Sequence, residues 1–391
     1  MMLIAALALA ALAPAGEARA WEPALRAAER DLCSKRVALL GENGFHGDGK
    51  TVAFKAELVR RLVGRCGYRA VFFEASHYDF LAIERAARRG ERVSEAMVSS
   101  AIGGLWNRDA EIAPLIAFLT ARAATGKVAL GGLDDQLGSV GAFYSLEAMP
   151  ADLMAGLPPA RAAACTERLR QRLNWTYSPA SPHDAASVAS LRSCATEAEA
   201  AWRADRARAP VTQSERLQML ANVRRALSRD FLDGKALVAG RDRSMYLNFR
   251  WLAARLPKGA KIVLWSENAH VAKDAGLAQD FASGGNLGFY LHRDYGPRIF
   301  LLGFAAASGS FRWGPRGSMP VAPAAAGSVE DLVVKEGGGE AGYAGRARLS
   351  RFGVATAALF DHRKPLRARW ADAFDGVVVF RAERPPRRTD E

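Results

Sequence analysis

Several things are scarce in this 391-residue chain, and each scarcity narrows its chemistry. It has four cysteines, no CxxC pair and no Cys/His spacing of a zinc site, so a zinc-ribbon or dithiol redox protein is excluded. No G-x-S-x-G is present, and the dipeptide Ser76-His77 is thin support for Ser-His-Asp catalysis. Its longest apolar run, Leu3 to Ala13, is too short to span a bilayer. No internal repeat is found. Acids are outnumbered: 54 Lys and Arg against 41 Asp and Glu leave an excess of 13. Yet no basic patch interleaves aromatics as a nucleic-acid platform would. The excess is mostly Arg on helices, as at Arg60-Arg61, Arg85/Arg88/Arg89 and Arg203/Arg206/Arg208. It reads as solvated helix faces or as attraction to an anionic envelope surface.

What is present begins with export. Residues 1–20 join an apolar run to Ala18-Arg19-Ala20, an A-x-A cleavage signal before Trp21. The expectation is a secretory signal peptide and a periplasmic or secreted mature protein without stable membrane insertion. An uncleaved anchor is the alternative, because the n-region lacks Lys and Arg. Four cysteines in an exported chain suggest two disulfides. Cys33 and Cys66 precede the first two strands, which if adjacent would bring them to one sheet edge. Cys165 and Cys194 lie in two helical segments and could staple a helical hairpin.

The stretch from Arg36 to Glu74 organises the rest. Val37 to Leu40 is a short apolar run closed by Gly41, the form of a buried parallel strand. After a polar loop, Val52, Leu58, Val59, Leu62 and Val63 recur at helical spacing until Gly64 and Gly67. A second run, Ala70 to Phe73, ends on Glu74. This is a βαβ unit, and ligands of open α/β sheets sit beyond the carboxyl ends of the strands. Glu42, His46 and Glu74 all fall there.

Further along, helices are expected from Asp79 to Gly90, after an N-capping Ser94, and from Arg108 to Ala124, with a third strand from Val128 to Leu133 ending on Asp134-Asp135. The alternation predicts an α/β fold, with a parallel sheet (mixed at its edge) flanked by helices. From 138 to 235 strand signals vanish and Ala/Arg/Leu helices broken by Pro158-Pro159 and Pro179/Pro182 read as a helical insertion or cap. It divides the α/β domain into 21–137 and 236–386. In the second half the spacing predicts a helix over Asp242–Arg255 and a strand over Lys261–Trp265. A helix follows over Leu287–Arg293, then a strand over Ile299–Phe304, with Ser308–Trp313 expected as its partner. A loop over 315–327 precedes a helix capped by Ser328, and a strand runs from Gly376 to Phe380. The tail beyond Pro385 is expected to be disordered.

One motif competes for the first loop. Gly44 to Thr51 satisfies G-x4-G-K-[ST] between a strand and a helix, the context of a phosphate-binding loop. Against it, Gly44 comes three residues late, and an exported chain meets little ATP.

The same segments resemble the erythromycin esterase family, within the EreA/ChaN-like superfamily, as a divergent member. Leu40-Gly41-Glu42 with His46-Gly47 is similar to its L-G-E…H-G segment. Glu74-Ala75 and Gly132-Leu133-Asp134 are similar to its strand ends. Arg241-Asp242, Met245 and Asn248 match R-D-x-x-M-x-x-N, and Trp265, Asn268 and His270 match W-x-x-N-x-H. Asp375 to Phe380 with Glu383 and Pro385 resembles its ending. The resemblance implies a hydrolase that opens an ester, such as a macrolide lactone, without a required metal. His46 would be the general base and Glu42 and Glu74 would orient it and the water, with His270 across the pocket. Arg241, Asn248, Asp134, Glu267 and Asn268 would support or line the site. Two departures stand out: three residues rather than two separate Glu42 from His46, and Glu267 stands where the family has His.

The residues allow other readings. Ester hydrolysis needs a base poised near neutral pH and a held water, which a His beside a carboxylate can provide. Glu74 could instead pair with a base such as Lys55, and Arg241 with Asp242 as a helix-start ion pair. Glu42, His46, Glu74, Glu267 and His270 could hold Zn or Mn in a metal-dependent hydrolase or protease. A non-catalytic envelope binding protein that keeps the pocket is a third reading.

Overall fold

A computed structural model describes residues 20–138, 143–205, 209–278 and 281–389; residues 1–19, and with them almost all of the expected signal peptide, lie outside these. Eleven strands occur among the described residues: β1 (Val37–Leu40), β2 (Tyr68–Ser76), β3 (Ala129–Asp134), β4 (Lys261–Trp265), β5 (Ile299–Ala306), β6 (Ser310–Arg312), β7 (Ser318–Pro320), β8 (Ala341–Gly345), β9 (Ala355–Ala357), β10 (Leu366–Ala368) and β11 (Gly376–Phe380). Seven build one sheet in the order β3-β2-β4-β1-β5-β11-β8. All neighbours in it run parallel except β8, which pairs antiparallel with β11 at the edge.

Helices cover both faces, so each strand buries alternate residues on opposite sides. In β1, Val37 and Leu39 enter one apolar cluster, while Ala38 and Leu40 enter the other. Ile262 and Leu264 of β4 follow the first pair, and Val263 and Trp265 the second. The helix Gly49–Arg65 covers one face through Val52, Leu58, Val59 and Leu62, at the spacing read from the sequence. Residues 149–227 form four helices, Met149–Met154, Pro159–Asn174, Ala185–Ala204 and Pro210–Leu227, around a third cluster. Tyr78 and Leu81 of the helix His77–Arg88 join that cluster and tie the helical segment to the sheet.

Several expectations need correction. β4 lies between β1 and β2, so these strands are not adjacent. Cys33 and Cys66 are nevertheless bonded, with Cα atoms 5.0 Å apart, because both precede strands at the amino edge. Cys165–Cys194 joins the two helices expected, at 5.6 Å. β6 pairs with β7 as a separate ribbon rather than with β5. The helix expected from Arg108 begins at Ala113, since Asp109 forms a bridge with Arg388. That bridge also orders the tail: Thr389 N donates to Arg108 O at 2.9 Å, and Arg387 N to Glu111 at 3.1 Å. Disorder beyond Pro385 is therefore not found up to Thr389. The helix expected from Asp242 begins at Gly234, still within the stretch assigned to the insertion.

Candidate functional site

The polar residues read from the sequence cluster beyond the carboxyl ends of β3, β2, β4 and β1, four neighbours in the sheet. Glu42 follows β1 by two residues, Glu267 follows β4 by two, Glu74 lies near the end of β2 and Asp134 ends β3. The register of β2 against β3 shifts between Phe73 and Ser76, the interval that holds Glu74.

On the β1 side, His46 Nδ1 is 2.6 Å from Glu42 Oε1. A carboxylate can only accept, so Nδ1 carries a proton, which in the neutral ring leaves the lone pair on Nε2. Trp106 Nε1 donates to the same Glu42 oxygen at 2.7 Å, and Lys55 Nζ donates to the other at 2.8 Å. Lys55 sits 4.1 Å over the Trp265 ring. Burial would push the Glu42 carboxyl up, but Lys55 and His46 bring it below its ordinary value. Burial likewise pulls His46 down; Glu42, then Glu74 and Glu267, more than offset this and raise it. Lys55, wholly buried, is lowered to about 8, with Glu42 opposing the desolvation. His46 has φ +52, an uncommon conformation for a residue with a Cβ. A Cβ on Gly44 would lie 2.5 Å from Glu267 Oε2, so a side chain there would displace that carboxylate.

On the β4 side, His270 Nδ1 lies 2.9 Å from both oxygens of Asp242. Its Nε2 is 3.3 Å from Glu74 Oε1, 3.2 Å from Glu267 Oε1 and 2.9 Å from Arg241 Nη1. Arg241 alone would favour a neutral ring, but its guanidinium is already paired with Glu74 at 2.7 Å and Asp134 at 2.7 Å. Against the loss of solvation, Asp242, Glu74 and Glu267 raise His270 well above its ordinary value. Burial works to raise Glu74, yet His270 and Arg241 bring it well below the usual carboxylate range. Ser266 Oγ and the Glu267 N–H also donate to Glu74. Burial, opposed by His270 and reinforced by Glu74, raises Glu267.

Of the residues singled out from the sequence, His46, Glu42, Glu74, His270, Glu267, Arg241 and Asp134 meet in this network. Glu74 pairs with Arg241, not Lys55, and Arg241 does not pair with Asp242. Two of the residues expected to line the site are spent on the scaffold. Asn268 donates to Phe304 O and Leu359 O and accepts from Phe304 N. Asn248 donates to Leu133 O and accepts from Gln218, fixing a helix to β3. Sequence reasoning missed Lys55, Trp106, Ser266 and the role of Asp242. Lys55 follows the Glu42 loop, Ser266 directly follows β4 and Asp242 adjoins Arg241, so each had a local signal; Trp106 reaches the site through a long-range contact.

The five candidate metal ligands do not fit an ion as they stand. Glu42 and Asp242 take one nitrogen of each histidine, and the Arg241 guanidinium sits among the remaining donors. Among the described residues, the set of three donors lying within 4.8 Å of one another is Glu29 with Cys33 and Cys66, at the opposite sheet edge. Those sulfurs are disulfide-bonded and lack the thiolate a metal takes.

Nor can the phosphate-loop motif take a phosphate. The Glu383 carboxylate occupies the start of the helix Gly49–Arg65, accepting from Lys50 N at 2.7 Å, Thr51 N at 3.2 Å and Thr51 Oγ1 at 2.9 Å. Lys50 Nζ turns away to Glu340, and Asp48 pairs with His362. An internal anion fills the place a ligand anion would need. Burial and Asp48 push Glu383 up to about 7.

The network borders three neighbouring hollows. One of about 160 Å³ is lined by Glu74, Ser76, Gly104, Asp134 and Arg241. A second, about 420 Å³, is lined by His46, Phe45, Gly104, Leu105 and Arg312 and shares Gly104 and Leu105 with the first. A third, about 440 Å³, carries Glu267 with Gly44, Phe45 and Phe281.

Comparisons with known proteins agree with this architecture. No curated protein sequence matches the chain. A Bacillus cereus protein of solved structure superposes with a TM-score of 0.68 at 15% identity, covering 93% of this chain and 92% of its own. A succinoglycan biosynthesis protein gives 0.70 at 14%, covering 93% and 91%. A mutant of the erythromycin esterase EreC in its open conformation gives 0.59 at 16%, covering 90% and 92%. At these identities the likeness is one of fold. The sequence profile of the erythromycin esterase family matches residues 63–383, starting after the Glu42–His46 loop. With most of its length matched, the chain belongs to the erythromycin esterase family.

Proposed function

We propose that this chain is an exported, water-activating hydrolase of ester bonds in a small molecule. The observation that carries the reading is the His46–Glu42 pair: Glu42 binds Nδ1, so Nε2 is left as a base on a residue that lines a cavity. In the proposed reaction Nε2 takes a proton from water as the oxygen attacks the ester carbonyl. The tetrahedral oxyanion then collapses, the bond to the alcohol oxygen breaks, and His46 returns its proton to the leaving alkoxide. Acid and alcohol are the products, with no covalent enzyme intermediate. Arg241, in the cleft, supplies positive charge toward the oxyanion, and His270 and Asp134 position it. Glu267 and Glu74 border the same space.

Two disulfides support export, as does the A-x-A signal before Trp21. Among the described residues no helix is long and apolar enough to cross a membrane. The test is hydrolysis of a small-ester panel by protein starting at Trp21, with and without chelator, for the unmodified chain and His46→Ala. Turnover that persists in chelator and vanishes with His46 is expected. Chelator-sensitive turnover, or an active His46→Ala, would overturn the reading.

A further inference from the structure

The loop from Gly41 to Asp48 carries both members of the candidate pair, Glu42 and His46. Its start is held by the sheet: Gly41 N donates to Leu302 O at 2.8 Å, and Glu42 O accepts from Asn268 N at 2.6 Å. Its end runs into the helix Gly49–Arg65, whose Gly49 N donates to Arg384 O at 2.8 Å. Between these anchors His46 stands at φ +52, a conformation that persists only where the surroundings impose it. The contact of Nδ1 with Glu42 depends on that backbone being held.

A third histidine brackets this loop. His362 is 2% exposed, and its Nε2 lies 2.9 Å from Asp48 Oδ1, two residues beyond His46. Its ring packs 5.1 Å from Phe311 of β6, and Phe311 stacks at 5.2 Å on Phe45, the residue before His46. One side chain thus reaches the loop on both flanks of His46, by a hydrogen bond after it and through an aromatic stack before it. Phe45 is closed in further by Trp313 at 4.6 Å and the Arg363 guanidinium at 4.9 Å. β6 adds a backbone tie, Arg312 N to Gly47 O at 2.9 Å, and a Cβ on Gly47 would lie 1.8 Å from Arg312 O, so this approach needs glycine. His362 is itself fixed, since its carbonyl accepts from Ala322 N at 2.9 Å. Its Nδ1 has no partner among the described residues, so the bond to Asp48 is the polar tie of the ring. Burial lowers His362, and the charges of Asp48, Glu383 and Asp361 around it more than offset this.

We infer that His362 is a positioning residue for His46, an assignment that deepens the hydrolase reading and rests on it for the reaction. Through Asp48 and Phe311 it holds the loop so that His46 Nδ1 stays on Glu42. His362 lines none of the three hollows that border the network, so it acts through His46 and not on a substrate. Burial pulls His46 down and the bond to Glu42 raises it, so a released loop brings His46 back down toward the value of a free ring. A base displaced by even about 1 Å also loses its alignment with the water it activates.

A matched pair of variants, on the chain starting at Trp21, tests this. Glutamine places a nitrogen donor near that of the histidine Nε2 and can reach Asp48; asparagine is equally polar but too short. Magnetic resonance of chains labelled at histidine Cε1 reads the titration of His46 without any substrate, its signal identified by its loss in His46→Ala. In His362→Asn the His46 value should fall by about one unit, as expected when a charge-assisted hydrogen bond is lost, and in His362→Gln it should stay. Turnover of 4-nitrophenyl acetate should fall about 10²-fold in His362→Asn with KM unchanged, and return in His362→Gln. Phe311→Leu acts from the other flank without touching a charge, and should move both readings the same way by less. It carries the test if thermal melting shows that His362→Asn does not fold. An unmoved His46 value in the folded variants overturns the assignment, as does equal loss in His362→Asn and His362→Gln. A fall in turnover through KM alone does so too. Absence of turnover in every chain, the unmodified one included, sinks the hydrolase reading alone, because the titration needs no substrate.

Discussion

The two histidines of the cleft share a chemistry but not a setting. His46 faces one carboxylate, and that carboxylate is already neutralised by Lys55 and held by Trp106. His270 faces three, with only Arg241 to share them. The His46 side chain is 11% exposed and lines a hollow, whereas His270 is 2% exposed. A ring with one moderated carboxylate is raised but can still give up its proton and act as a base. A ring among three carboxylates is raised further and gives up its proton less readily, so it serves to hold those carboxylates together. Nearest-neighbour identity alone, an imidazole beside an acid, would have made the two equivalent.

The largest test of this contrast is His46→Ala, expected to lower turnover by about 10²–10⁴, the range of general-base catalysis, with little change in chemical denaturation. His270→Ala should do the reverse in emphasis. It leaves Asp242, Glu74 and Glu267 without their shared cation, so unfolding stability should fall by about 3–5 kcal/mol as for a broken buried pair. Equal melting of the two variants would dissolve the distinction. Lys55→Met probes the moderating charge: Glu42 keeps only His46⁺ as a counter-ion. The acid limb of the pH–rate profile should then rise, together with a loss of stability measurable in urea.

Smaller effects follow from pH. The base must be unprotonated, and His46 is raised above about 6.5, so activity should be lost as pH falls through a limb centred above that value. Glu42→Gln removes the main raising group and should move the limb downward in a pH–rate profile; an unmoved limb would show that His46 is not the titrating base. For His270 the sign concerns stability. Its raised value means that the pairing with Asp242 contributes fully below about 6.5 and fades only as pH rises through the higher folded value. Asp242→Asn should therefore reduce stability at neutral pH and flatten its decline on the alkaline side. Denaturant midpoints measured across pH check this.

Where the pattern was strictly local, the sequence was legible. β1, β4 and β11 have the bounds that their apolar runs indicate, and Ser94 and Ser328 cap helices through Met97 N and Asp331 N. Errors arose where partners come from far along the chain. Strand order is not encoded in any one run, so β4 between β1 and β2 could not be seen. The tail read as disordered because its partners, Asp109 and Glu111, lie some 275 residues earlier. Asn268 and Asn248 were expected at the site because they match W-x-x-N-x-H and R-D-x-x-M-x-x-N, yet backbone carbonyls consumed them. The phosphate-loop motif was chemically sound, and failed only because Glu383 arrives from the other end of the chain.

The sequence by itself determined the α/β class, the helical segment, both disulfide partners and the set of polar residues at the strand ends. Hydrophobic period and strand polarity follow from neighbours a few residues apart, and strand polarity places those ends on one edge. Only the tertiary structure decided which acids serve His270, that Arg241 lies among them, and that an internal carboxylate closes the helix start. Those outcomes depend on distances of 2.7–3.3 Å between groups as far as 333 residues apart. Charges buried that closely are governed by local packing and desolvation, which no spacing along the chain records.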